Sequence, residues 1–461
     1  MPTFVELGVP ETLVAVLDRE GISTPFPIQD ATLPDTLAGR DVLGRGQTGS
    51  GKTLAFSLPV VARLSGGRRV AKQPRALILV PTRELANQVL AVVTPLATAA
   101  GLTSTVVFGG VGQLPQVKAL ARGVDVLIAC PGRLEDLIQQ GCCDLSAVEI
   151  TVLDEADHMA DLGFLPAVRR LLDRTPKVGQ RMLFSATLDN GVDVLVNRYL
   201  HAPVTHSVDP AAAPVSTMAH HVFSVSAADK QAVVHQLASG SERSLLFLRT
   251  KHTAKKLAKQ LTAAGIPAVE LHGNLSQGVR ERNLEAFTGG STRVLVATDI
   301  AARGIHVDDI ALVVHVDPPT EHKAYLHRSG RTARAGAGGI VVTIATQDQL
   351  GDVRTMTRQA GITPVTAMVR PGDAVITDLA GPAAPYVEPA ELPVVAPRAA
   401  RSAKAGRGGG SKTAVATPES GARKSRTGGG GGRGSGAPAR TRAELAARAG
   451  EQSAGRRRRS R

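Results

Sequence analysis

Residues Gly46-Gln47-Thr48-Gly49-Ser50-Gly51-Lys52-Thr53 fit the pattern G-x-x-x-x-G-K-[ST] at every fixed position. This run constrains the fold more than any other feature of the chain. Its backbone N–H groups can converge on phosphate oxygens only if a strand delivers the loop and a helix leaves it. The run therefore requires a strand–turn–helix unit in an α/β sheet. Glycines at 46, 49 and 51 free the backbone to turn, and the helix start near Lys52 adds its partial positive charge. Lys52 is placed to reach the β and γ phosphates, and Thr53 to ligate Mg²⁺.

A second feature supplies acids. The apolar run Ile150-Thr151-Val152-Leu153 reads as a buried parallel strand. Asp154-Glu155-Ala156-Asp157 follows at its carboxyl end, where α/β sheets bind ligands. Asp154 is suited to hold Mg²⁺ through water, Glu155 to orient and deprotonate an attacking water, and Asp157 to hydrogen-bond between motifs.

Around these two features strands and helical patterns alternate. Strands are expected near 41–43, 76–80, 105–108, 124–129, 150–153 and 181–184, then near 222–225, 244–248, 268–271, 293–297, 311–316 and 340–344. This alternation predicts an α/β chain with two doubly wound parallel-sheet domains, at 1–202 and 218–371. Residues 203–217 read as a linker. Only the first half carries a Gly-Lys-Thr loop. Residues 372–461 lose periodicity and read as a disordered Pro/Ala/Gly/Arg-rich tail, with a short helix possible at 442–449.

Charge divides along the same line. Residues 398–461 hold 17 Lys and Arg against 3 Asp and Glu, while the other 397 residues hold 37 of each. A neutral body with a basic tail points to a polyanionic partner such as nucleic acid, with the tail as its tether. Cys130, Cys142 and Cys143 lack metal spacing and are odd in number, which suits a reducing cytoplasm. No apolar run reaches about 18 residues, so neither export nor membrane insertion is expected.

Arg331 and Arg334 lie in the second half, after Tyr325-Leu326-His327-Arg328-Ser329-Gly330. A cation offered across a cleft can neutralise charge developing on a γ phosphate.

Together these residues resemble the DEAD-box RNA helicases over residues 4–350. The blocks that carry the resemblance occur in family order. Gly21 to Gln29 resembles the adenine-reading Q motif, and Phe4 stands 17 residues upstream of Gly21, where the family keeps an aromatic that packs on the base. Pro81-Thr82-Arg83-Glu84-Leu85-Ala86, Gly109-Gly110, Pro131-Gly132-Arg133 and Ser185-Ala186-Thr187 match first-domain motifs. His272-Gly273 with Gln277-Gly278-Val279-Arg280, Ala297-Thr298-Asp299, and His327-Arg328 through Arg331 and Arg334 match second-domain motifs.

The resemblance implies two tandem RecA-like domains with ATP and Mg²⁺ between them. It assigns catalysis to Lys52, Glu155, Arg331 and Arg334, and nucleotide contacts to Phe4, Gln29, Gly49, Ser50, Gly51, Lys52, Thr53 and Asp299. Mg²⁺ falls to Thr53 and Asp154. RNA contacts, made mainly to the backbone, fall to Thr82, Arg83, Gly110, Arg133, Gly273 and Thr298. Coupling between the domains falls to Asp157, Ser185, Thr187, His327 and Arg328. The chain departs from the family at Ile22 (usually aromatic), Phe26 (usually Thr or Ser), Cys130, His306, Ser329 and Ala333.

The expected activity is ATP-dependent local separation of short RNA duplexes or remodelling of RNA–protein complexes, with ribonucleoprotein or RNA-decay partners possible. An ATP-gated RNA clamp or annealing factor is the alternative, and a DNA translocase a more distant one.

Overall fold

In the computed structural model the described residues are 2–46, 49–187, 190–208, 218–302, 307, 309–333 and 338–389. Two seven-stranded sheets organise them. The first holds β1 (Val42–Arg45), β2 (Ala76–Leu79), β3 (Ser104–Val107), β4 (Val126–Ala129), β5 (Ile150–Asp154), β6 (Gln180–Ser185) and β7 (Val204–Ser207). The second holds β8 (Met218–Ser224), β9 (Arg243–Leu248), β10 (Ala268–Leu271), β11 (Val294–Thr298), β12 (Ile310–His315), β13 (Gly339–Ala345) and β14 (Val365–Met368). The strand orders are β3-β4-β2-β5-β6-β1-β7 and β10-β11-β9-β12-β13-β8-β14, the same order twice, with every pairing parallel. The tandem RecA-like architecture expected from the sequence is the one observed.

Helices cover both faces of each sheet, so central strands are buried on both sides and read as unbroken apolar runs. Ile78 and Val152 join one core with Phe56 and Phe184. Their chain neighbours Leu77, Leu79 and Leu153 join the opposite core with Leu134 and Leu171. Side-chain alternation along each strand thus feeds two hydrophobic layers per lobe.

The structure differs from the sequence reading at both domain ends. Residues 203–217 were expected to be a linker, yet Val204–Ser207 is a strand paired with β1. In the second lobe β14 holds the same position beside β8. Both are edge strands with exposed or half-exposed side chains, so neither shows an apolar run.

The tail expected from residue 372 also starts later. Helix Ala374–Ala380 buries Ile376 in the second lobe. Residues 381–389 then strap across that lobe. Ser241 N–H donates to Pro382 O at 2.8 Å, Ala384 N–H to Ser239 O at 2.9 Å and Val387 N–H to Gly265 O at 3.0 Å. The Tyr386 ring lies 2.1 Å from where a Cβ on Gly265 would stand, which only glycine permits. The tail from residue 390 on, including the helix expected at 442–449, lies outside the described residues. No helix among the described residues is long and apolar enough to cross a membrane.

Candidate active site

The order β5-β6-β1 sets three loops side by side at the carboxyl edge of the first sheet. Arg45 is in register with Ser185, and Asp154 with Phe184. Gly46 N–H donates to Ser185 O at 3.2 Å, tying the loop after β1 to the end of β6. Gly49 and Gly51 have φ of 90° and 89°, a region that glycine enters without strain. Helix Lys52–Leu64 begins at once. Lys52 is buried, donates from Nζ to Gly46 O at 2.6 Å, and lies 4.0 Å from Glu155 Oε1. Ser50 Oγ is buried without a hydrogen-bond partner among the described residues.

Asp154 and Glu155 stand against that lysine. Glu155 has φ 54° and ψ 50°, a left-handed conformation that costs a non-glycine residue energy and that concentrates at functional sites. Burial, followed by the charge of Glu155, pushes the Asp154 carboxyl up to about 7, while Lys52 pulls it down. A divalent cation would reverse that preference. Two buried carboxylates beside a single lysine fit Mg²⁺, which takes one or two carboxylates and fills its shell with phosphate oxygens and water. Thr53 follows Lys52 in the first turn of the same helix. Among the described residues no group of three or more His, Cys, Asp or Glu could form a dedicated metal cage.

Asp157 is buried and fully engaged. Its Oδ2 accepts Thr187 N–H and Thr187 Oγ1–H, each at 2.9 Å, and its Oδ1 accepts His158 N–H at 2.9 Å. Ser185 Oγ accepts Asp157 N–H at 3.2 Å and donates to Thr187 O at 2.7 Å. The end of β6 is thereby wired to the acids after β5, all within the first lobe.

Gln29 is buried and bridges two loops. Its Oε1 accepts Phe26 N–H and its Nε2 donates to Gly51 O, both at 2.9 Å. One N–H and one acceptor lone pair of that amide remain. Phe4 is 2 % exposed and lies in the core with Leu13 and Leu17 of helix Glu11–Arg19.

The other half of the same edge, β3-β4-β2, gathers the RNA candidates of the first lobe. Thr82 caps helix Arg83–Ala99, its Oγ1 accepting Leu85 N–H at 3.2 Å. The Arg83 guanidinium occupies the place where a Cβ on Gly110 would stand, at 2.1 Å, and Gly110 has φ 78°. Arg133 donates to Val111 O at 3.3 and 3.4 Å. Arg83, Gly110 and Arg133 are thus brought together around residues 108–112.

Two contacts join the lobes on this side, and the sequence reading missed both. Arg280 Nε donates to Glu84 Oε1 at 2.7 Å in an ion pair whose side chains are 10 % and 8 % exposed. Arg83 Nη1 donates to Gln277 Oε1 at 3.1 Å. All four residues lie inside motif blocks legible in the sequence, Pro81 to Ala86 and His272 to Arg280, but no sequence signal pairs them.

In the second lobe, Asp299 and Arg328 hold each other. Arg328 donates to the two carboxylate oxygens of Asp299 at 2.5 and 2.7 Å, donates to Asp317 O at 2.7 Å, and lies over the Phe247 ring. Arg328 was expected to couple the domains, but all of these bonds fall within the second lobe. Such a clamp rigidifies helix His322–Ser329, which carries His327. Arg331 is buried and donates from Nε to His327 O at 3.2 Å. Thr298 ends β11, and Gly273 is exposed with no atom within 4 Å of its would-be Cβ. Arg334 and His306 lie outside the described residues.

Residues 26–195 match the family model of the DEAD/DEAH box helicases, and residues 229–336 that of the helicase conserved C-terminal domain. The ATP-dependent RNA helicase RhlB of Sodalis glossinidius is 38 % identical over 387 residues, which cover 82 % of this chain and 93 % of that protein. The chloroplastic DEAD-box ATP-dependent RNA helicase 3A of Zea mays is 40 % identical over 366 residues, 77 % of this chain, and this chain spans 49 % of its length. Among solved structures, S. cerevisiae Dbp5 bound to RNA and ADP BeF3 superposes with a TM-score of 0.72 at 28 % identity, covering 82 % of this chain and 99 % of that one. Mss116p bound to ssRNA and AMP-PNP gives a TM-score of 0.71 at 26 % identity, covering 81 % of each chain. Likeness of this extent, on a duplicated sheet whose strand ends carry the motifs in register, makes the chain a member of the DEAD-box ATP-dependent RNA helicases.

Proposed function

We propose that this chain hydrolyses ATP in response to RNA and uses the cycle to separate short duplexes locally or to remodel RNA–protein complexes. The observation that carries the reading is the strand order β5-β6-β1, which sets Asp154, Ser185 and the Gly-rich loop at one level beside an RNA-side group on β3-β4-β2. The triphosphate lies along residues 49–53, with Lys52 against the β and γ phosphates. Thr53 and Asp154 would hold Mg²⁺, which when bound would supply charge neutralisation at the phosphate oxygens. Glu155 orients the attacking water and takes its proton. Gln29 offers its remaining N–H and lone pair to the adenine edge, a pairing an amide makes with N6 and N7. Arg331 and Arg334 approach the γ phosphate when the lobes close.

RNA runs over Thr82, Arg83, Gly110 and Arg133 and reaches Gly273 and Thr298, gripped through phosphates and 2′-hydroxyls, so recognition is largely independent of sequence. The basic residues of 398–461 add a non-specific tether, and the three free cysteines suit the cytoplasm. RNA-bound neighbours of known structure support the RNA reading.

The test is Glu155→Gln, which keeps shape near Mg²⁺ and removes the base. ATP and RNA binding should persist, RNA release in ATP should slow, and turnover should vanish. Near-normal ATPase activity would remove Glu155 from the role of base. Strand displacement measured beside annealing then separates unwinding from clamping.

A further inference from the structure

Of the three tyrosines, Tyr199 and Tyr325 are buried and Tyr386 is 69 % exposed. Tyr386 belongs to the strap 381–389, outside both matched family models, and is the last aromatic residue of the chain. The strap holds it in place. Its ring is seated on Gly265, with Ala384 N–H bonded to Ser239 O on one side and Val387 N–H to Gly265 O on the other. Helix Lys251–Ala263 leads to this spot. It begins after β9 at the carboxyl edge of the second sheet, where Lys251 Nζ donates to Asn274 Oδ1 at 3.0 Å beside Gly273, and it ends two residues before Gly265. Over about 20 Å it turns Ala254, Leu257, Ala258 and Leu261 to the core and leaves Lys251, Lys255, Lys256 and Lys259 exposed. Residues 251, 255 and 259 recur every fourth position and so form one stripe on the solvent side. The helix contains no acid, and Lys255, Lys256 and Lys259 enter no ion pair among the described residues.

We propose that the lysine stripe and Tyr386 form an accessory site for single-stranded RNA, with phosphates along the helix and a base stacked on the ring. The proposal rests on the RNA reading given above and adds a segment to it: a strand leaving Gly273 is carried along the helix to the strap. Four lysines without a local acid attract a polyanion, and a ring held by its backbone is a stacking platform of the kind such strands use. Glu242, next to Ser241, and Glu388 are exposed near the strap, so the ring end suits the neutral face of a base and the helix suits the phosphates. The basic residues of 398–461 follow the strap in sequence. They share the sign of the helix, so a polyanion, not the tail, is the occupant of the stripe. At roughly 3.4 Å per stacked nucleotide the stripe spans about six nucleotides.

The experiment compares the full chain with Tyr386→Ala, Tyr386→Phe and a triple variant carrying Lys255→Ala, Lys256→Ala and Lys259→Ala. Affinity is measured for a long single-stranded oligoadenylate, for a short one that fills only the motif track, and for the long strand paired to its complement. Stacking of one base sets the loss for Tyr386→Ala on the long strand at about 5- to 150-fold. In that variant the short strand and the duplex should change less than about twofold, and Tyr386→Phe should keep the affinity. The triple variant should weaken the long strand and reduce the magnitude of its salt slope by about 2 units, at about 0.7 per phosphate. The maximal RNA-stimulated ATPase rate should hold throughout, because none of these residues lies in the nucleotide site. Unchanged long-strand affinity in Tyr386→Ala would overturn the platform and leave the strap face to a protein partner. Equal losses on long and short strands would overturn it too, because Tyr386 would then merely support the second lobe. An unaltered salt slope in the triple variant would reduce the stripe to a solvated face. Failure of the unaltered chain to bind either strand would overturn the RNA reading itself.

Discussion

Replacing Arg280 with alanine should uncouple the lobes without unfolding either. Arg280 and Glu84 form a buried pair from opposite lobes, 2.7 Å apart, with side chains 10 % and 8 % exposed. Deleting one member of a buried pair leaves the other charge uncompensated, at a cost of about 3–5 kcal/mol where it cannot escape to water. Here it can escape, because separating the lobes rehydrates Glu84. Most of the cost therefore falls on lobe association, with about 3–5 kcal/mol as its upper bound, and a smaller part falls on the second lobe, where Arg280 also donates to His272 O at 3.5 Å and Ala301 O at 3.4 Å. At about 1.4 kcal/mol per tenfold change, closure becomes less favourable by up to roughly 10²–10³. The assay is RNA-stimulated ATPase activity over a range of RNA concentrations, beside thermal unfolding of the same variant. The stimulated rate at limiting RNA should fall by at least about tenfold and by no more than about 10³-fold, with little change in melting temperature. Gln277→Ala, which loses a single hydrogen bond to Arg83 at 3.1 Å, should fall less. The charge-reversed double variant Glu84→Arg with Arg280→Glu should recover part of the loss. A stimulated rate equal to that of the unaltered chain would refute the latch. A collapse in melting temperature would show that the pair supports a fold, not a closure.

Arg331→Ala and Arg334→Ala should each lower RNA-stimulated turnover by on the order of 10³-fold or more while ATP affinity changes little; normal hydrolysis with failed RNA binding would move them to the RNA surface instead. Deleting residues 398–461 should weaken RNA binding and flatten its salt slope by roughly 3–4 units if a third of the 17 basic residues engage phosphates; the maximal rate should hold, and an unchanged slope would sink the tether. Acid should loosen the second lobe. Burial lowers the His220 imidazole to about 4 and holds the buried His315 well below its ordinary value, with Tyr325 hydrogen-bonded to one and packed edge-on to the other. Unfolding then takes up protons below about pH 6.5, so these residues stabilise fully above that value and lose about 1.4 kcal/mol per pH unit each as pH falls toward their folded-state values. His315→Phe should remove one such increment from the slope of stability between pH 6.5 and 5, and an unaltered slope would argue against it.

Where the chain's physics is local, the sequence reading and the structure agree. Ile150 to Leu153 is buried on both faces and reads as an apolar run, and the acids that follow it have to emerge at the carboxyl edge. Val204–Ser207 was passed over because an edge strand exposes alternate side chains and needs no apolar run. Residues 381–389 were assigned to the tail because their order comes from backbone bonds to Ser239, Ser241 and Gly265, which composition does not encode. Burial of Phe4 and exposure of Phe26 likewise depend on packing, which distance along the chain does not encode. Arg280 was legible as part of a motif, but its partner Glu84 is 196 residues away, and only the fold brings them together.

The repeated strand order has one more consequence. Lys52 opens the helix after β1 and Asp154 closes β5. At the matching places of the second lobe, Lys230 opens the helix after β8 and Asp317 follows β12. There the two are bonded to each other at 3.0 Å, Asp317 also accepts Arg249 N–H at 3.0 Å, and the turn leading to Lys230 contains no glycine. The lysine and the acid proposed to face a triphosphate in the first lobe have counterparts in the second that neutralise one another. On that proposal the two similar scaffolds bind a single nucleotide, and titration of the chain with ATP should saturate at one equivalent.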